Sequence, residues 1–376
     1  MKEDVGRQLH LRTGELICMC NTTIDVINKL GFTDEEITAC LTKKELLSIE
    51  LEFTKKCNLR CLYCYSSAGE QAENELSREE LKSVVHQAKN LGAKKIVLLG
   101  GGEPLLYDGL TTIVDYINSM GLQQVVFTNG VFVNREIAQF LFENKVSVVI
   151  KRNSLKPEVQ DTLADVKGAF KNINRGLNIL METGYPNKNV SLGIQTIICK
   201  QNINELSTMW LWARERGIIP YFEVITYQGR ARENAGLYIS ESEIREVFKR
   251  LEMIDNTFGI KWKSHSKIAA FSCKRHLYSC LINSQGYVQA CTGVDMPIGN
   301  IREKPLREIL ENSNVIMDLR NIHKKIEGPC KTCEYNSSCY GCRGNAYQMT
   351  GNYLASDPKC WHCKKESNES FAHICQ

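Results

Sequence analysis

The sequence predicts an α/β fold in which a parallel, barrel-like sheet is followed by a cysteine-rich C-terminal region. Short apolar, β-rich runs alternate with segments of helical spacing between residues 49 and 225, which is typical of βαβ units. The stretch from 65 to 272 contains one cysteine, whereas the last 104 residues contain ten. This contrast predicts a domain boundary near residue 265. We therefore expect a short N-terminal segment (1–48), a core domain (49–264) and a cysteine-rich domain (265–376).

Six apolar runs are predicted to be strands: 49–54, 95–99, 123–128, 146–151, 190–198 and 219–225. Helical spacing is found in the segments between them, at 77–91, 108–120, 134–143, 168–183 and 203–216. The first of these segments opens with Ser77 and has Glu80 three residues later, which is the pattern of a capping box. Six parallel strands form a barrel-like sheet, open or partly closed, whose reactive groups lie at the carboxyl ends of the strands.

The composition argues against several classes of partner and location. Apolar residues make up 43% of the chain and charged residues 24%, as in ordinary soluble proteins, and the formal net charge is only +4. Such a charge gives no reason to expect nucleic acid or an anionic membrane as partner. The N-terminus lacks the apolar segment and cleavage site of a signal peptide, and no apolar run reaches about 18 residues. We therefore expect a cytoplasmic protein.

Seventeen cysteines are too many for an average cytosolic enzyme. Either they form disulfides in an oxidising compartment, or they bind metal in a reducing one. The expected location and the odd number of cysteines favour metal binding. Five of them match no motif and are predicted to be ordinary thiols: Cys18, Cys20, Cys40, Cys199 and Cys375.

Three cysteines form a tight group on the loop that follows the first predicted strand. Cys57, Cys61 and Cys64 lie in the segment CNLRCLYC. Three thiolates at this spacing can hold one iron–sulfur cubane and leave its fourth iron open, whereas zinc prefers Cys-x2-Cys pairs that together give four ligands. A chance arrangement of structural cysteines is the alternative interpretation.

The next two strand ends carry glycines and small polar residues. The segment LLGGGEPLL follows the second strand and contains Gly101, Gly102 and Glu103, and FTNG follows the third with Thr128 and Asn129. Glycines allow the backbone to approach a ligand closely, and a carboxylate can accept hydrogen bonds from an ammonium group. A pair of simple turns is the alternative, since Asn-Gly is a turn dipeptide.

The cysteine motif and the GGEP segment some 40 residues later resemble the signature of the radical S-adenosylmethionine (SAM) superfamily. The resemblance implies a partial (β/α)6 TIM-like barrel. It implies that Cys57, Cys61 and Cys64 bind a 4Fe-4S cluster whose open iron is chelated by SAM. It also implies that SAM is cleaved reductively to methionine and a 5′-deoxyadenosyl radical, which abstracts hydrogen from the substrate.

The same resemblance implies a set of SAM contacts at the strand ends. Tyr63 matches the position that contacts adenine, and the GGEP segment matches the one that holds the SAM amino group. Arg230 follows the sixth strand and is expected at the SAM carboxylate, with a solvated surface arginine as the alternative. The fourth strand departs from many relatives, since it reads IKRNS in place of SLDG. The expected SAM-binding residues are Tyr63, Gly101, Gly102, Glu103, Thr128, Asn129, Asn153, Ser154, Gln195 and Arg230.

The C-terminal cysteines resemble the SPASM domain of radical SAM maturases, which implies two auxiliary 4Fe-4S clusters. The inner cluster is expected on Cys273, Cys280, Cys291 and Cys342. The outer cluster is expected on Cys330, Cys333, Cys339 and Cys360. Only two residues separate Cys339 from Cys342, as in the branch that includes haem-biosynthesis enzymes, and His362 and Cys363 are spare. Two zinc sites are the alternative, because two Cys-x2-Cys pairs are present.

The expected function is that of a radical SAM oxidoreductase that oxidatively modifies a peptide or protein. A small-molecule enzyme acting on a tetrapyrrole, sugar or nucleoside is the first alternative, and an iron–sulfur electron-transfer protein is the second. The GGEP segment argues against the second, because an electron carrier has no use for a SAM-ammonium site. About 48 residues precede the first strand, too few for a full peptide-recognition domain. A reductant such as flavodoxin or ferredoxin is the expected protein partner, and the sequence singles out no catalytic side chain.

Overall fold

The computed structural model describes residues 31–262, 264 and 273–362. Several predictions from sequence lie outside these residues. They are the domain boundary near 265, the spare Cys363, and the unassigned Cys18, Cys20 and Cys375. The division into three domains therefore stays a prediction.

A nine-stranded sheet forms the centre of the molecule, in the order β6-β5-β4-β3-β2-β1-β7-β8-β9. The first six strands are parallel and are neighbours in the order of the sequence. They are β1 Ser48–Thr54, β2 Lys95–Gly101, β3 Gln123–Thr128, β4 Ser147–Lys151, β5 Leu192–Ile198 and β6 Ile219–Val224. All six predicted strands are present. β1 continues the sheet towards β7 instead of closing it against β6, so the barrel is partial, as predicted.

Helices precede, connect and follow the strands of the core. They are α1 Asp34–Lys43, α2 Arg78–Asn90, α3 Leu110–Ser119, α4 Arg135–Glu143, α5 Pro157–Ala164, α6 Ala169–Thr183, α7 Leu206–Arg214 and α8 Glu241–Thr257. The predicted capping box at α2 is present, because Ser77 and Glu80 each accept a hydrogen bond from the other's backbone N–H. The five predicted helices all form, and α1, α5 and α8 were not predicted.

Strand β1 places apolar side chains on one face of the sheet and polar side chains on the other. All seven of its residues are buried. Ile49, Leu51 and Phe53 pack into the apolar core, and burial of each stabilises the fold by about 1.5–3 kcal/mol. Glu50 and Glu52 alternate with them and therefore point to the opposite face, inside the barrel. Buried carboxylates add nothing by the hydrophobic effect, so their presence on this face indicates a site.

The C-terminal region is attached directly to the core sheet. Strand β7 Leu281–Ile282 pairs in parallel with β1, and two antiparallel strands follow, β8 Tyr287–Gln289 and β9 Gly299–Asn300. The remaining helices of the described residues are α9 Arg275–Tyr278, α10 Leu306–Glu311, α11 Asn314–Arg320, α12 Ile322–Lys325 and α13 Arg343–Thr350. Within the described ranges, no helix is long and apolar enough to cross a membrane.

Candidate active site

A cavity of about 2160 Å³, including the space that opens to solvent, lies at the carboxyl ends of the core strands. Cysteines from two distant parts of the chain face it: Cys57, Cys61 and Cys64 from the loop after β1, and Cys273, Cys291 and Cys342 from the C-terminal region. The expected SAM-cluster ligands and three of the expected inner auxiliary ligands thus border one space.

The loop after β1 holds its three cysteines half-buried. Cys57, Cys61 and Cys64 are free thiols. Burial raises the pKa of the Cys61 thiol to about 12, against a hydrogen bond from the Tyr63 hydroxyl that lowers it. Burial also raises the pKa of Cys57. Since iron binds thiolates, loading this site releases protons.

Two residues after β6 brace the cysteine loop. The Arg230 guanidinium donates to the carbonyls of Cys61 and Ala68, at 2.9 and 2.8 Å, and its backbone N–H donates to the carbonyl of Cys64 at 3.0 Å. Gly229 has φ +55°, and a Cβ there would lie 2.3 Å from the Cys64 carbonyl oxygen. The Gly-Arg pair therefore positions the cysteines. This differs from the predicted contact between Arg230 and the SAM carboxylate.

The glycines after β2 lie flat against the same loop. The Gly102 N–H donates to the carbonyl of Thr54 at 2.7 Å, and the Glu103 N–H donates to that of Lys56 at 2.8 Å. A Cβ on Gly102 would lie 2.1 Å from the Lys56 oxygen, so no larger residue fits without moving the backbone. Gly101 has φ +64° and borders the cavity.

The buried Glu103 carboxylate joins the ends of β2 and β3. It accepts hydrogen bonds from the Thr128 hydroxyl at 2.6 Å, the Asn129 N–H at 2.7 Å and the Leu105 N–H at 3.0 Å. Burial raises its pKa, and these three donors oppose the shift. A carboxylate offers about four acceptor positions, so one is left for a ligand. Glu103, Thr128 and Asn129 therefore act as one unit on the cavity wall.

Tyr63 lies on the cavity wall, with its ring beneath the end of β4. The Lys151 ammonium is 5.1 Å from the ring centre, at cation–π distance. The Tyr63 hydroxyl accepts a hydrogen bond from the Asn153 amide at 2.6 Å. Lys151 borders the cavity as well, so a positive charge and an aromatic face lie side by side there.

Asn153 and Ser154 are fully buried and are not part of the cavity lining. The Asn153 side-chain oxygen accepts from the Ile197 N–H at 3.0 Å, and the Ser154 hydroxyl donates to the Glu205 carboxylate at 2.9 Å. They support the site from behind. This placement differs from the direct SAM contact that the sequence predicts for both residues.

The barrel interior below the cysteines contains polar side chains, most of which the motifs did not reveal. Arg275 lies 3.0 Å from the Glu50 carboxylate and also hydrogen-bonds the Tyr221 hydroxyl. The predicted Gln195 donates to Glu223, and both side chains line the cavity. The alternation of polar and apolar residues in β1 was a usable signal for Glu50. No sequence pattern marks Arg275, because its position depends on how the C-terminal region packs against the core sheet.

A hydrogen-bonded clamp joins the loop after β6 to the inner auxiliary cysteines. The Gln228 amide donates to the Asp295 carboxylate and to the Thr292 carbonyl, both at 2.8 Å. On the other side, the Gln348 amide donates to Asp295 and to the Gly293 carbonyl, also at 2.8 Å. One short loop therefore contacts both the β1 cysteine loop and the segment that begins at Cys291.

The expected inner ligands surround the floor of the cavity. Cys273, Cys291 and Cys342 line it, and Cys280 is buried behind them at the start of β7. Burial raises the pKa values of Cys280 and Cys291 to about 12. Backbone N–H groups point at the sulfurs, from Val294 to Cys291 at 3.3 Å and from residue 345 to Cys342 at 3.5 Å. Such donors are typical around cluster ligands.

The expected outer ligands lie near the end of the described chain. Burial, together with the charges of the neighbouring Cys360 and Cys330, raises the pKa of Cys339 to about 11. Cys333 is half-buried beside them in sequence. The spare His362 packs its ring against Tyr335, 4.8 Å between centroids.

Comparison with known proteins identifies the family. A family model described as "Radical SAM superfamily" matches residues 51–209, and one described as "Iron-sulfur cluster-binding domain" (SPASM) matches residues 273–334. The chain belongs to the radical SAM superfamily. It is an enzyme whose cofactors are SAM and 4Fe-4S clusters. The predicted family and cofactors are confirmed, and the zinc, disulfide and electron-carrier alternatives are set aside.

This radical SAM chain is similar to enzymes of different kinds. An AdoMet-dependent heme synthase from Methanosarcina barkeri is 29% identical over an alignment 339 residues long, which covers 83% of this chain and 95% of the relative. A mycofactocin maturase from Mycolicibacterium smegmatis is 26% identical over 82% of this chain and 81% of its own. The structure of Streptococcus suis SuiB bound to S-adenosylmethionine superposes with a TM-score of 0.68 at 16% identity, covering 87% of this chain and 81% of that one. The last likeness supports the fold.

Proposed function

We propose that this radical SAM/SPASM enzyme oxidises a tetrapyrrole. The cavity carries the proposal, because a substrate in it borders both the β1 cysteines and the inner auxiliary cysteines. The class of substrate is supported by the haem synthase relative, which this chain matches over 95% of the relative's length. This is the small-molecule alternative of the sequence analysis, and the comparisons favour it over peptide modification. We also propose the predicted division into 1–48, 49–264 and 265–376, and the family matches at 51–209 and 273–334 support its second and third parts.

We infer that Cys57, Cys61 and Cys64 hold the cluster that binds SAM. The residues fit, since three free thiols face the cavity and a glycine run beside them leaves room for a ligand. When bound, the cluster supplies the electron that converts SAM to methionine and the 5′-deoxyadenosyl radical. Reduction of that cluster calls for a flavodoxin or ferredoxin as partner. The chain itself holds the cysteine loop in place through Arg230.

The cavity-lining members of the predicted set are proposed to hold SAM. They are Tyr63, Gly101, Gly102, Glu103, Thr128, Asn129 and Gln195. Asn153, Ser154 and Arg230 are proposed to position them. Because Arg230 is committed to loop carbonyls, the SAM carboxylate needs another cation, and Lys151 beside Tyr63 is suited to it.

The remaining cysteines are proposed as the ligands of the two auxiliary clusters. Cys273, Cys280, Cys291 and Cys342 form the inner set, and Cys330, Cys333, Cys339 and Cys360 form the outer set. Eight cysteines ligate two cubanes fully, so neither has an open iron for substrate. An oxidation requires an electron acceptor next to the substrate, and the inner set borders the cavity.

The experiment incubates the reduced, reconstituted enzyme with SAM and iron coproporphyrin III, an iron porphyrin with carboxylate side chains. We expect porphyrin-dependent formation of 5′-deoxyadenosine and a porphyrin product of changed mass, measured by mass spectrometry. A variant with Cys57, Cys61 and Cys64 changed to alanine is the control and should form neither. Formation of 5′-deoxyadenosine that is indifferent to porphyrins would contradict the substrate assignment.

Peptide maturation is the second candidate. It is favoured by the mycofactocin maturase relative, which matches 82% of this chain. The same incubation with short precursor peptides in place of the porphyrin distinguishes the two. Peptide-dependent 5′-deoxyadenosine together with a peptide mass change would establish this candidate instead.

A further inference from the structure

Arg343 is a buried arginine that lies directly after the inner ligand Cys342. Only 3% of its surface is exposed. One terminal nitrogen, Nη1, donates to the carbonyls of Tyr353 and Ala355, at 2.9 and 2.6 Å. These two bonds fix the orientation of the guanidinium group.

The other two guanidinium nitrogens of Arg343 have no hydrogen-bond partner among the described residues. Both Nε and Nη2 are fully buried. Buried charged donors are costly when they are left unbonded, because they lose their water without a replacement. The two charged N–H donors are therefore available to a group other than the side chains that the structure describes.

Arg343 is close to ligands of the proposed auxiliary clusters, since it directly follows Cys342 of the inner set. Its pKa responds to the charges of Asp357, Cys342 and Cys330, the last of which belongs to the outer set. The neighbouring His276 is neutral, since burial and the charge of Arg343 lower its pKa to about 3. An arginine side chain stays protonated in proteins, so Arg343 brings a buried positive charge next to Cys342.

We propose that Arg343 donates its two unbonded N–H groups to the auxiliary clusters and raises their reduction potentials. The proposal rests on the ligand sets given under the proposed function. Reduction adds negative charge to a cluster, and a buried cation with N–H donors stabilises the reduced form. Arg343 is thus a positioning and tuning residue that makes the auxiliary clusters better electron acceptors.

The chain offers a matched control in Arg152. It is also buried, and its Nε and Nη1 have no hydrogen-bond partner among the described residues. Its guanidinium lies over the Trp212 ring at 4.6 Å, and the charges that act on it come from Arg216 and Glu205. No cysteine is among them, so its loss should leave the clusters unchanged.

The test is a redox titration of the full-length, reconstituted enzyme followed by electron paramagnetic resonance, with iron counted per chain. In Arg343→Gln we expect auxiliary clusters at least tenfold harder to reduce, about 59 mV for a one-electron couple. Arg343→Lys keeps the positive charge and loses the planar guanidinium with its paired N–H donors. Its auxiliary reduction potentials should shift in the same direction by a smaller amount. The SAM-binding cluster, recognised by its spectral change on adding SAM, should keep its potential, and Arg152→Gln should match the wild type.

Four outcomes would overturn the proposal. If Arg343→Gln keeps its full iron content and its auxiliary clusters keep their reduction potentials, the role of Arg343 is rejected and the ligand sets of the proposed function are not. Loss of auxiliary iron from Arg343→Gln would show instead that Arg343 is needed for cluster assembly. If Arg343→Gln does not fold, unchanged reduction potentials of the auxiliary clusters in Arg343→Lys would reject the proposal. Absence of auxiliary clusters from the wild type would reject the ligand sets of the proposed function as well, so the two failures are distinguishable.

Discussion

At the scale of single residues, the site separates side chains that face the cavity from side chains that hold others in place. Arg230 and Lys151 show the difference. The Arg230 guanidinium donates hydrogen bonds to the carbonyls of Cys61 and Ala68, whereas Lys151 borders the cavity beside Tyr63. The family pattern alone could not distinguish them, because it marks a position in sequence and not the direction of the side chain.

The first prediction concerns Lys151. Burial lowers the pKa of its ammonium group, and the nearby Glu223 opposes this shift. A carboxylate from SAM would stabilise the charged form further. Lys151→Met should therefore weaken SAM binding about ten- to a hundredfold, since a charge-assisted hydrogen bond contributes about 1.5–3 kcal/mol. Equilibrium binding of SAM to the reconstituted enzyme measures this.

Lys249 provides the control for that measurement. It is exposed on α8, and its ammonium pairs with Glu246 at 2.9 Å. Lys249→Met removes the same charge far from the cavity lining and should bind SAM normally. Lys151→Arg should retain most of the affinity. Equal SAM affinities in Lys151→Met and Lys249→Met would show that the SAM carboxylate is held elsewhere.

At the scale of elements, one buried carboxylate fixes α7 to α8 and so supports the end of β6. Asp255 is fully buried and accepts hydrogen bonds from the Trp210 and Trp262 indoles, at 2.6 and 2.8 Å. It also pairs with the Arg214 guanidinium at 2.7 Å. The charges of the pair are mutually compensated, so removal of either one leaves the other buried and alone.

The second prediction is that Asp255→Ala lowers the free energy of unfolding by about 3–5 kcal/mol, the usual cost of breaking a buried ion pair from one side. Urea unfolding followed by tryptophan fluorescence measures it. Glu182→Ala serves as the control, since Glu182 pairs with Arg135 on the surface and should cost about 0–1 kcal/mol. A loss in Asp255→Ala no larger than in Glu182→Ala would mean that packing alone joins the two helices.

Helices and strands could be predicted from the sequence wherever the pattern that marks them lies within a few neighbouring residues. The alternation of apolar runs and helical spacing located all six core strands, and the Ser77–Glu80 capping box located the start of α2. Helix α8 was missed although Ser240 and Glu243 form the same kind of box at its start. Contacts over long sequence distance, such as Asp255 with Arg214, leave no local pattern, and neither does the path of Arg275 into the barrel.

At the scale of the whole molecule, the C-terminal region completes the cavity and is not a separate appendage. Strand β7 pairs with β1, and Asp295 is held from both sides by Gln228 and Gln348. The motifs predicted which cysteines belong to each region. They could not predict that both regions border one cavity, because this depends on the β1–β7 pairing.

The last prediction concerns the iron content of the whole chain. Three 4Fe-4S clusters require about twelve irons per chain, and changing Cys57, Cys61 and Cys64 together to alanine should lower this to about eight. The C-terminal ligands lie on other segments and keep their clusters, so the variant should stay folded. Cys199→Ala is the matched control, because Cys199 is fully buried and belongs to no proposed ligand set. Metal analysis by mass spectrometry decides the matter: about twelve irons in Cys199→Ala and eight in the triple variant agree with three independent clusters. Loss of all iron from the triple variant would show instead that the auxiliary clusters depend on the first one for their assembly.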